Sequence, residues 1–330
     1  MSELKFDVAG IGNALVDVIA NADDAFLAAQ GIQKGGMTLI DADRADTLYG
    51  AMGEAIESSG GSCANTIAGL ASLGGKGAFF GKVKNDQLGE VFVHDIKALG
   101  GAFPASIATS GAPTGRCLVL VTPDAQRSMS TFLGAAQNLT ANDIDAEVIK
   151  ASAVTYMEGY LWDQPGAKEA FLKAAKIARD AGRVVSLTLS DSFCVDRYRS
   201  EFQKLAKEEV DLLFANEDEI LSLYQVKTFD EALARVRQDC KFAAVTRSEK
   251  GAVIVADNVV YEVAAEKISK LVDTTGAGDL FAAGFLYGLA RGYEPARCGR
   301  FGAMAAAEVI SHYGPRPLVS LKDLATQKGL

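Results

Sequence analysis

Residues 273–279 read DTTGAGD and precede an apolar helical pattern rich in small residues, LFAAGFLYGLARG. Glycines at positions 276 and 278 allow a tight turn that presents successive N–H groups at a helix N-terminus. Such a terminus favours an anion, for example a phosphoryl group in transfer. Asp279, in the first helical turn, is placed to accept the proton of a substrate hydroxyl as its oxygen attacks a γ-phosphate. The alternative is that the glycines only form a turn and that Asp279 complements the helix dipole.

A second candidate site lies in GGSCAN, residues 60–65, which opens a predicted helix over 65–73. After two glycines, the backbone and the side chains of Ser62 and Asn65 can approach a small polyhydroxyl ligand closely. A purely structural N-cap at Ser62 is the alternative.

Two more segments follow predicted strands, at the edge of the sheet where α/β proteins bind ligands. In NEDE, residues 216–219, Asn216 and Glu219 can hold Mg²⁺-bound water near nucleotide phosphates, or can form only a capping box. In TRSEKGA, residues 246–252, the turn can hold a phosphate or a ribose, or can be a capped turn without a ligand.

The composition excludes several classes of protein. The 330 residues include 33 basic and 42 acidic ones, and the net charge of −9 argues against nucleic-acid binding. No stretch approaches the roughly 18 consecutive apolar residues of a membrane span, and the N-terminus lacks a secretory pattern. Five scattered cysteines indicate reduced thiols, and two histidines argue against a histidine-based metal site or hydrolytic triad. We therefore expect a cytoplasmic protein whose chemistry depends on carboxylates and backbone groups.

The elements that position these residues follow an α/β pattern. Short apolar runs rich in β-branched residues alternate with longer helical patterns, which is typical of parallel strands joined by helices. Two strands over 116–122 and 127–133, joined by a Pro-Asp-Ala turn, predict a separate small β element. The other predicted elements are strands over 6–11, 184–189 and 211–215 and a helix over 167–181.

Two nucleotide-binding motifs are incomplete. Gly10 and Gly12 follow a strand as in a dinucleotide-binding fingerprint, but Leu15 occupies the third glycine position. A Walker A loop requires Ser or Thr after Gly-Lys, whereas Lys76 precedes Gly77. A helix C-terminus with a left-handed glycine explains the SLGGKG stretch.

In this order, GGSCAN continuing to FFGKVKNDQLGE, and DTTGAGDLFAAGFL, resemble the two signatures of the ribokinase (PfkB) family of carbohydrate and nucleoside kinases. The resemblance extends over nearly the whole chain. It implies a ribokinase-like layered α/β/α fold with a mostly parallel central sheet and a small β-sheet lid. The expected large unit comprises residues 1–12, 43–102 and 136–330, and the expected lid comprises residues 13–42 and 103–135.

The resemblance also implies roles for individual residues. It places the catalytic base on Asp279 and the anion hole on Gly276, Ala277 and Gly278. It implies Mg²⁺ binding through water at Asn216 and Glu219, and K⁺ as a monovalent cation at Asp273 and Thr275. The residues implied to bind ATP are Asn216, Thr246, Arg247, Gly251, Gly276 and Gly278. One departure is that Ser248 replaces the first glycine of the family pattern TxGxxG.

Within the family, GNALVD, PTGRC, RSMSTFLGAA, YMEGYLW and SLTLSDSFC are more similar to adenosine kinases than to sugar kinases. On that similarity Asp17 holds the ribose hydroxyls, with Asn13, Gly61, Ser62 and Asn65 beside it. Around the base it places Met37, Leu39, Phe132, Leu133 and Tyr160. A purine has flat apolar faces, which favours such partners, and the alternative is that these residues only pack the hairpin against the core. Asp191 and Glu158 are acidic where small or neutral residues are expected around a base.

The leading hypothesis is ATP-dependent phosphorylation of a primary hydroxyl, the 5′-hydroxyl of adenosine, by a monomer or homodimer whose lid closes over bound substrate. One alternative is a kinase for ribose, fructose or a related carbohydrate. Another is a catalytically silent ligand-binding protein on the same scaffold. The intact DTTGAGD segment and the retained Asn216 and Glu219 argue against a silent protein.

Overall fold

The computed structural model describes residues 3–124 and 126–330. The strands of this part of the chain are β1 (Phe6–Ile11), β2 (Leu15–Asn21), β3 (Met37–Leu39), β4 (Ala55–Gly60), β5 (Gly77–Phe80), β6 (Gly115–Val121), β7 (Arg127–Phe132), β8 (Ser152–Glu158), β9 (Val184–Thr188), β10 (Leu212–Asn216), β11 (Phe242–Thr246), β12 (Ala252–Ala256) and β13 (Val259–Val263). Its α-helices are α1 (Asp24–Ala29), α2 (Ala42–Ala51), α3 (Ser62–Ser72), α4 (Gln87–Ala98), α5 (Ala146–Lys150), α6 (Pro165–Asp180), α7 (Ser192–Glu208), α8 (Glu217–Tyr224), α9 (Phe229–Asp239), α10 (Ala277–Ala290), α11 (Pro295–Val309) and α12 (Leu321–Gln327). Each predicted strand and helix is confirmed to within about two residues, except that α3 begins three residues before the predicted start at residue 65.

The larger sheet has eight strands in the order β13-β12-β11-β10-β9-β8-β1-β5. Strands β5, β1, β8, β9, β10 and β11 are parallel, and β12 and β13 close one edge as an antiparallel hairpin. Val8 packs in the core that α3 and α10 cover, whereas Ala9 and Ile11 pack in the core that α6 and α7 cover. Helices therefore cover both faces of a mostly parallel sheet, which confirms the layered α/β/α fold implied by the resemblance.

The smaller sheet has five strands in the order β3-β7-β6-β2-β4. One face packs on α1 and α2 through a small apolar core that includes Val18 and Leu118. Because successive side chains of a strand alternate between faces, Asp17 lies on the opposite face. The predicted hairpin is β6 and β7, and Ala125 of its predicted turn lies outside the described residues.

Strand β4 corrects the expected division of the chain. The expectation that residues 43–102 belong wholly to the large unit is wrong, because β4 pairs antiparallel with β2 over the whole of its length. The sequence of β4, AIESSG, has one β-branched residue and little intrinsic preference for a strand. Pairing with β2 makes this segment a strand, and α2 before it packs on the same sheet.

Gly10 and Gly12 allow close packing at the end of β1. A Cβ atom at Gly10 would lie 2.5 Å from Cys63 Sγ, and one at Gly12 would lie 2.4 Å from Glu158 Oε2. These glycines therefore bring β1, α3 and the end of β8 together, which is a packing role rather than dinucleotide binding.

Two further expectations concern the whole chain. The five cysteines are buried and free. Among the described residues, no helix combines the length and the apolar character needed to cross a bilayer.

Candidate active site

Polar side chains gather where the parallel strands of the larger sheet end. Asn13 follows β1, and Glu158, Asn216 and Thr246 are the last residues of β8, β10 and β11. The carboxyl ends of parallel strands share one edge of a sheet, which is where open α/β sheets bind ligands.

Asp279 lies in the first turn of α10 and joins that helix to the start of α3. Ser62 Oγ donates to Asp279 Oδ1 at 2.6 Å, and Asn65 Nδ2 donates to Asp279 Oδ2 at 3.0 Å. Burial raises the pKa of Asp279, whereas the bonds from Ser62 and Asn65 oppose that rise. The carboxylate is thus fixed in position and is a stronger proton acceptor than an exposed aspartate. The alternative of an N-cap at Ser62 is wrong, because the N-cap is Gly61, at φ +93°, and has no side-chain cap.

The turn before α10 has the shape expected of an anion site. Gly276 is left-handed at φ +79°, and a Cβ atom there would lie 2.8 Å from Pro315 Cα. The amides of Gly276, Gly278 and Asp279 have no protein acceptor among the described residues, whereas the Ala277 amide donates to the Thr274 carbonyl at 3.2 Å. Of the three residues implied for the anion hole, Gly276 and Gly278 therefore present free amides at the positive end of the helix.

Glu158 connects three elements around the site. Its Oε1 accepts from Asn13 Nδ2 at 2.8 Å and from the Asn13 amide at 3.3 Å, and its Oε2 accepts from the Cys63 amide at 2.9 Å. The side chain is buried, which raises the pKa of Glu158 to about 7. The acidic residue that looked out of place in the sequence therefore holds the start of the smaller sheet against α3.

Asp17 is a carboxylate without a donor among the described residues. It packs over Gly60, where a Cβ atom would lie 2.3 Å from the carboxylate. Burial raises the pKa of Asp17 to about 6, although the positive charges of Arg316 and Arg127 oppose the rise. Both oxygens of Asp17 are available to accept hydrogen bonds from substrate hydroxyls.

The residues implied to surround a base lie on the smaller sheet and at the end of β8. Met37 and Leu39 are 41% and 46% exposed on the edge strand β3. They do not pack the hairpin against the core, so that alternative is wrong for these two. Phe132 and Leu133 are half-buried. Tyr160 is also half-buried, its amide donates to Ser190 Oγ at 3.1 Å, and burial together with Asp191 raises the pKa of its hydroxyl.

Asn216 and Glu219 form the capping box of α8. Asn216 Oδ1 accepts from the Glu219 amide at 2.8 Å, and Asn216 donates to both carboxylate oxygens of Glu219 at 2.7 and 3.0 Å. Burial raises the pKa of Glu219 to about 7. Each oxygen of Glu219 accepts one bond and keeps a further acceptor position, so this pair can accept hydrogen bonds from Mg²⁺-bound water. The described residues contain no cluster of three or more His, Cys, Asp or Glu side chains suited to a metal ion.

The turn after β11 offers backbone rather than side chain to a nucleotide. Arg247 donates to the carboxylate of Glu217 at 2.9 and 3.2 Å and lies 3.6 Å from the Phe229 ring centroid, so its guanidinium is already occupied. Gly251 is at φ +86°, and a Cβ atom there would lie 2.0 Å from the Val263 carbonyl oxygen. Ser248 is left-handed at φ +50°. The serine thus adopts the backbone conformation that the glycine of the family pattern reaches without strain.

Two arginines near the site carry no assignment from the sequence. Arg127 Nη2 lies 2.7 Å from Asp273 Oδ2, and both side chains are buried. Arg316 has Nε and Nη2 buried without an acceptor among the described residues, near the charges of Asp17 and Asp95. Arg127 is part of RSMSTFLGAA, but neither its segment nor the GPRP around Arg316 indicates which way the side chain points.

Residues 34–321 match the profile of the pfkB family carbohydrate kinases. The chain belongs to this family. PfkB kinases transfer phosphate to hydroxyl groups, with ATP as the donor that the family implies. The family match and the intact DTTGAGD loop therefore favour a kinase over a catalytically silent protein.

Solved structures and a curated relative support the same assignment. The adenosine kinase of Sinorhizobium meliloti is 53% identical, with a TM-score of 0.92 over 98% of this chain and 99% of that one. A probable sugar kinase from Rhizobium etli CFN 42 is also 53% identical, with a TM-score of 0.93 over 99% of both chains. The adenosine kinase of Saccharomyces cerevisiae is 27% identical over 328 residues, which cover 92% of this chain and 95% of the yeast protein. Two structures of equal identity carry different names, so likeness alone does not select the acceptor of this PfkB kinase.

Proposed function

We propose that this PfkB kinase transfers the γ-phosphoryl group of ATP to the 5′-hydroxyl of adenosine, giving AMP and ADP. The observation that carries the proposal is the register of the smaller sheet. Leu39 pairs with Thr131, Thr131 with Cys117, and Cys117 with Asp17, so these four side chains share one face. The next row on that face is Met37, Met129, Val119 and Ile19.

This face combines one free carboxylate with a mainly apolar surface. Asp17 can accept hydrogen bonds from two ribose hydroxyls, and the apolar rows beside it can cover the flat face of a purine. A free sugar requires hydrogen-bonding groups around its whole ring, and these rows offer few. The name of the 53% identical structure from Sinorhizobium meliloti, an adenosine kinase, supports the same acceptor.

The reaction uses groups with distinct roles. Asp279 accepts the proton of the 5′-hydroxyl while Ser62 and Asn65 hold its carboxylate in place. The free amides of Gly276 and Gly278, at the positive end of α10, stabilise charge on the transferring group. Asn216 with Glu219 would hold Mg²⁺ through water, and the ion would supply positive charge to neutralise the phosphates.

A sugar kinase is the second candidate, because the structure from Rhizobium etli carries that name and because Glu158 and Asp191 are acidic. The hydrogen bonds of both residues weaken this reading. Glu158 accepts three bonds from Asn13 and Cys63, and Asp191 accepts from the Cys194 amide at 2.6 Å as the N-cap of α7. Both carboxylates therefore have structural partners.

A coupled ADP-release assay with Mg-ATP tests the proposal against adenosine, other nucleosides, ribose and fructose. We expect turnover with adenosine at low concentration, with a product that ³¹P NMR identifies as a 5′-phosphate. Asp279→Asn serves as the control for background ATP hydrolysis. Turnover with a free sugar but not with adenosine would show that adenosine is not the acceptor, although Asp279 and the turn before α10 would keep their proposed roles. No turnover with any hydroxyl compound would refute the proposal.

A further inference from the structure

Asp273, the first residue of the DTTGAGD loop, has a saturated carboxylate. Its Oδ1 accepts from the Thr275 amide at 3.0 Å and from Thr275 Oγ1 at 2.8 Å. Its Oδ2 accepts from the Gly314 amide at 3.0 Å and lies 2.7 Å from Arg127 Nη2. An ionised carboxylate has about four acceptor positions, so the three hydrogen bonds and the ion pair with Arg127 together fill it.

This environment does not fit the K⁺ ion that the family resemblance implies at Asp273 and Thr275. A monovalent cation is held by several oxygen atoms that replace its hydration shell. Around Asp273 the described neighbours present N–H and O–H donors instead, and a guanidinium already supplies a positive charge in direct contact.

The positive charge comes from the smaller sheet. Arg127 is the first residue of β7 and lies opposite Val121 of β6, on the face that carries Asp17. The side chains of Arg127 and Asp273 are 7% and 5% exposed. Arg127 Nε is buried without an acceptor among the described residues, and the ion pair of the guanidinium with Asp273 is made through Nη2. A buried pair of this kind leaves an uncompensated charge when either partner is removed.

We propose that the Arg127 guanidinium is a built-in counter-ion of Asp273 that replaces the monovalent cation, so that this kinase needs no K⁺. Asp273 binds the Thr275 amide directly before Gly276, and its orientation therefore sets the turn that presents the anion-binding amides. The smaller sheet thus stabilises the DTTGAGD loop, residues 273–279, through the ion pair of Arg127 with Asp273. The inference rests on the proposed phosphoryl transfer for its role in activity, but cation binding can be measured without turnover.

The experiment compares the full-length protein, Arg127→Met and Arg116→Met in KCl, NaCl and choline chloride at matched ionic strength, without nucleotide. Arg116 is a matched control, because it lies on the same sheet and pairs with the exposed Asp46. We expect K⁺ to raise the melting temperature of Arg127→Met relative to choline, since the emptied position beside Asp273 becomes a cation site. The unsubstituted protein and Arg116→Met are expected to respond equally to all three salts.

Direct cation binding gives the second readout. Titration with Tl⁺, followed by ²⁰⁵Tl NMR, is expected to show a bound signal for Arg127→Met only. Turnover of the unsubstituted protein is expected to change by less than about twofold between potassium and choline salts, because no cation has to bind for the loop to form. K⁺ or Tl⁺ binding to the unsubstituted protein would overturn the inference, and so would an Arg127→Met protein that is folded but responds to neither ion. A protein that phosphorylates no acceptor refutes the proposed function, whereas the melting and NMR results still decide the cation question.

Discussion

Three carboxylates around the site differ in what surrounds them, and each difference sets a role. Asp279 is held by Ser62 and Asn65, Glu158 accepts three bonds from backbone and side-chain donors, and Asp17 has no donor among the described residues. Burial raises the pKa of all three. Asp279 is therefore suited to proton transfer, Glu158 to holding structure and Asp17 to binding hydroxyl groups.

Asp279→Asn is expected to lower kcat by about 10²–10⁴-fold, because an amide cannot take the hydroxyl proton. The free energy of unfolding is expected to stay equal or to rise, since the substitution removes a buried charge. Asn65 Oδ1 is buried with no partner in the part of the chain that the structure describes, and it can accept from the introduced amide when the amide group of Asn65 rotates by 180°. ADP release and thermal melting measure the two effects, and a variant with normal turnover would exclude Asp279 as the base.

The affinity for the acceptor is expected to depend on the ionisation of Asp17. Its pKa is raised to about 6, so the carboxylate becomes protonated as the pH falls through that value, and one of its oxygens becomes a donor that can no longer accept a bond from a ribose hydroxyl. KM for adenosine should therefore rise about tenfold per pH unit below this point. Asp17→Asn should raise KM and remove this acid limb from the pH profile of kcat/KM. An unchanged acid limb in Asp17→Asn would assign the titration to another group.

At the scale of elements, the side chains along each strand of the smaller sheet alternate between its two faces, which gives the faces different roles. One face packs on α1 and α2, and the other carries Asp17, Leu39 and Arg127. The turn before α10 depends on close packing, because Gly276 lies directly against Pro315 and leaves no space for a side chain. For each of these two elements, the same residue can be introduced at two positions with different neighbours, and the comparison tests the role of those neighbours.

Leu39→Gln and Thr38→Gln place the same side chain on opposite faces of β3. If Leu39 covers the base, Leu39→Gln should raise KM for adenosine about tenfold, because it exchanges an apolar contact for a polar group. Thr38→Gln points to the other face and should leave KM within about twofold. Steady-state kinetics with adenosine measure both, and equal effects of the two variants would contradict a base-binding role of this face.

Gly276→Ala and Gly292→Ala both place a side chain on a left-handed backbone, at φ +79° and +69°. Each should lose about 1–2 kcal/mol of stability from that conformation. Gly292 has no atom within 4 Å of the added carbon, whereas Gly276 meets Pro315 at 2.8 Å. Gly276→Ala should therefore lose about 1–3 kcal/mol more and most of its turnover, and Gly292→Ala should keep normal turnover. Urea denaturation and ADP release test the pair, and equal losses of stability would show that the Pro315 contact is unimportant.

At the scale of the whole molecule, two contacts link the sheets across the site. Arg127 reaches Asp273 from the smaller sheet, and Glu158 holds Asn13, where the chain passes from β1 to β2. On the face of the smaller sheet that carries Asp17, Met37 and Leu39 are 41% and 46% exposed, whereas Cys117 and Val119 are buried. Met37 and Leu39 are therefore accessible to a ligand on this face.

Binding of adenosine is expected to protect the smaller sheet. Amides of β3 and β7 should exchange more slowly with deuterium, because a covered strand edge excludes water. The exposed strand β13, at the far edge of the larger sheet, provides the internal reference. Protection of β13 equal to that of β3, or no protection of β3 at saturating adenosine, would argue against closure of the lid on the acceptor.

Much of the fold and part of the site could be predicted from local patterns. The alternation of apolar runs and helical patterns predicted the parallel sheet, and the positive φ of Gly276 agrees with the turn predicted before α10. The capping box of Asn216 and Glu219 forms as its spacing indicates. The boundary at β4 was wrong because a polar edge strand has little pattern of its own and depends on its partner β2.

The sequence by itself determined the features that depend on a few neighbouring residues: the glycine turn before α10 and the capping box of Asn216 and Glu219. Backbone preferences and hydrogen bonds of short range decide these before the chain is packed. Only the tertiary structure decided which distant groups meet. Asp279 lies 217 residues from its partner Ser62, Glu158 lies 145 residues from Asn13, and Arg127 could have faced either side of its strand. Such pairs depend on how layers dock and how strands register, and no local pattern contains that information.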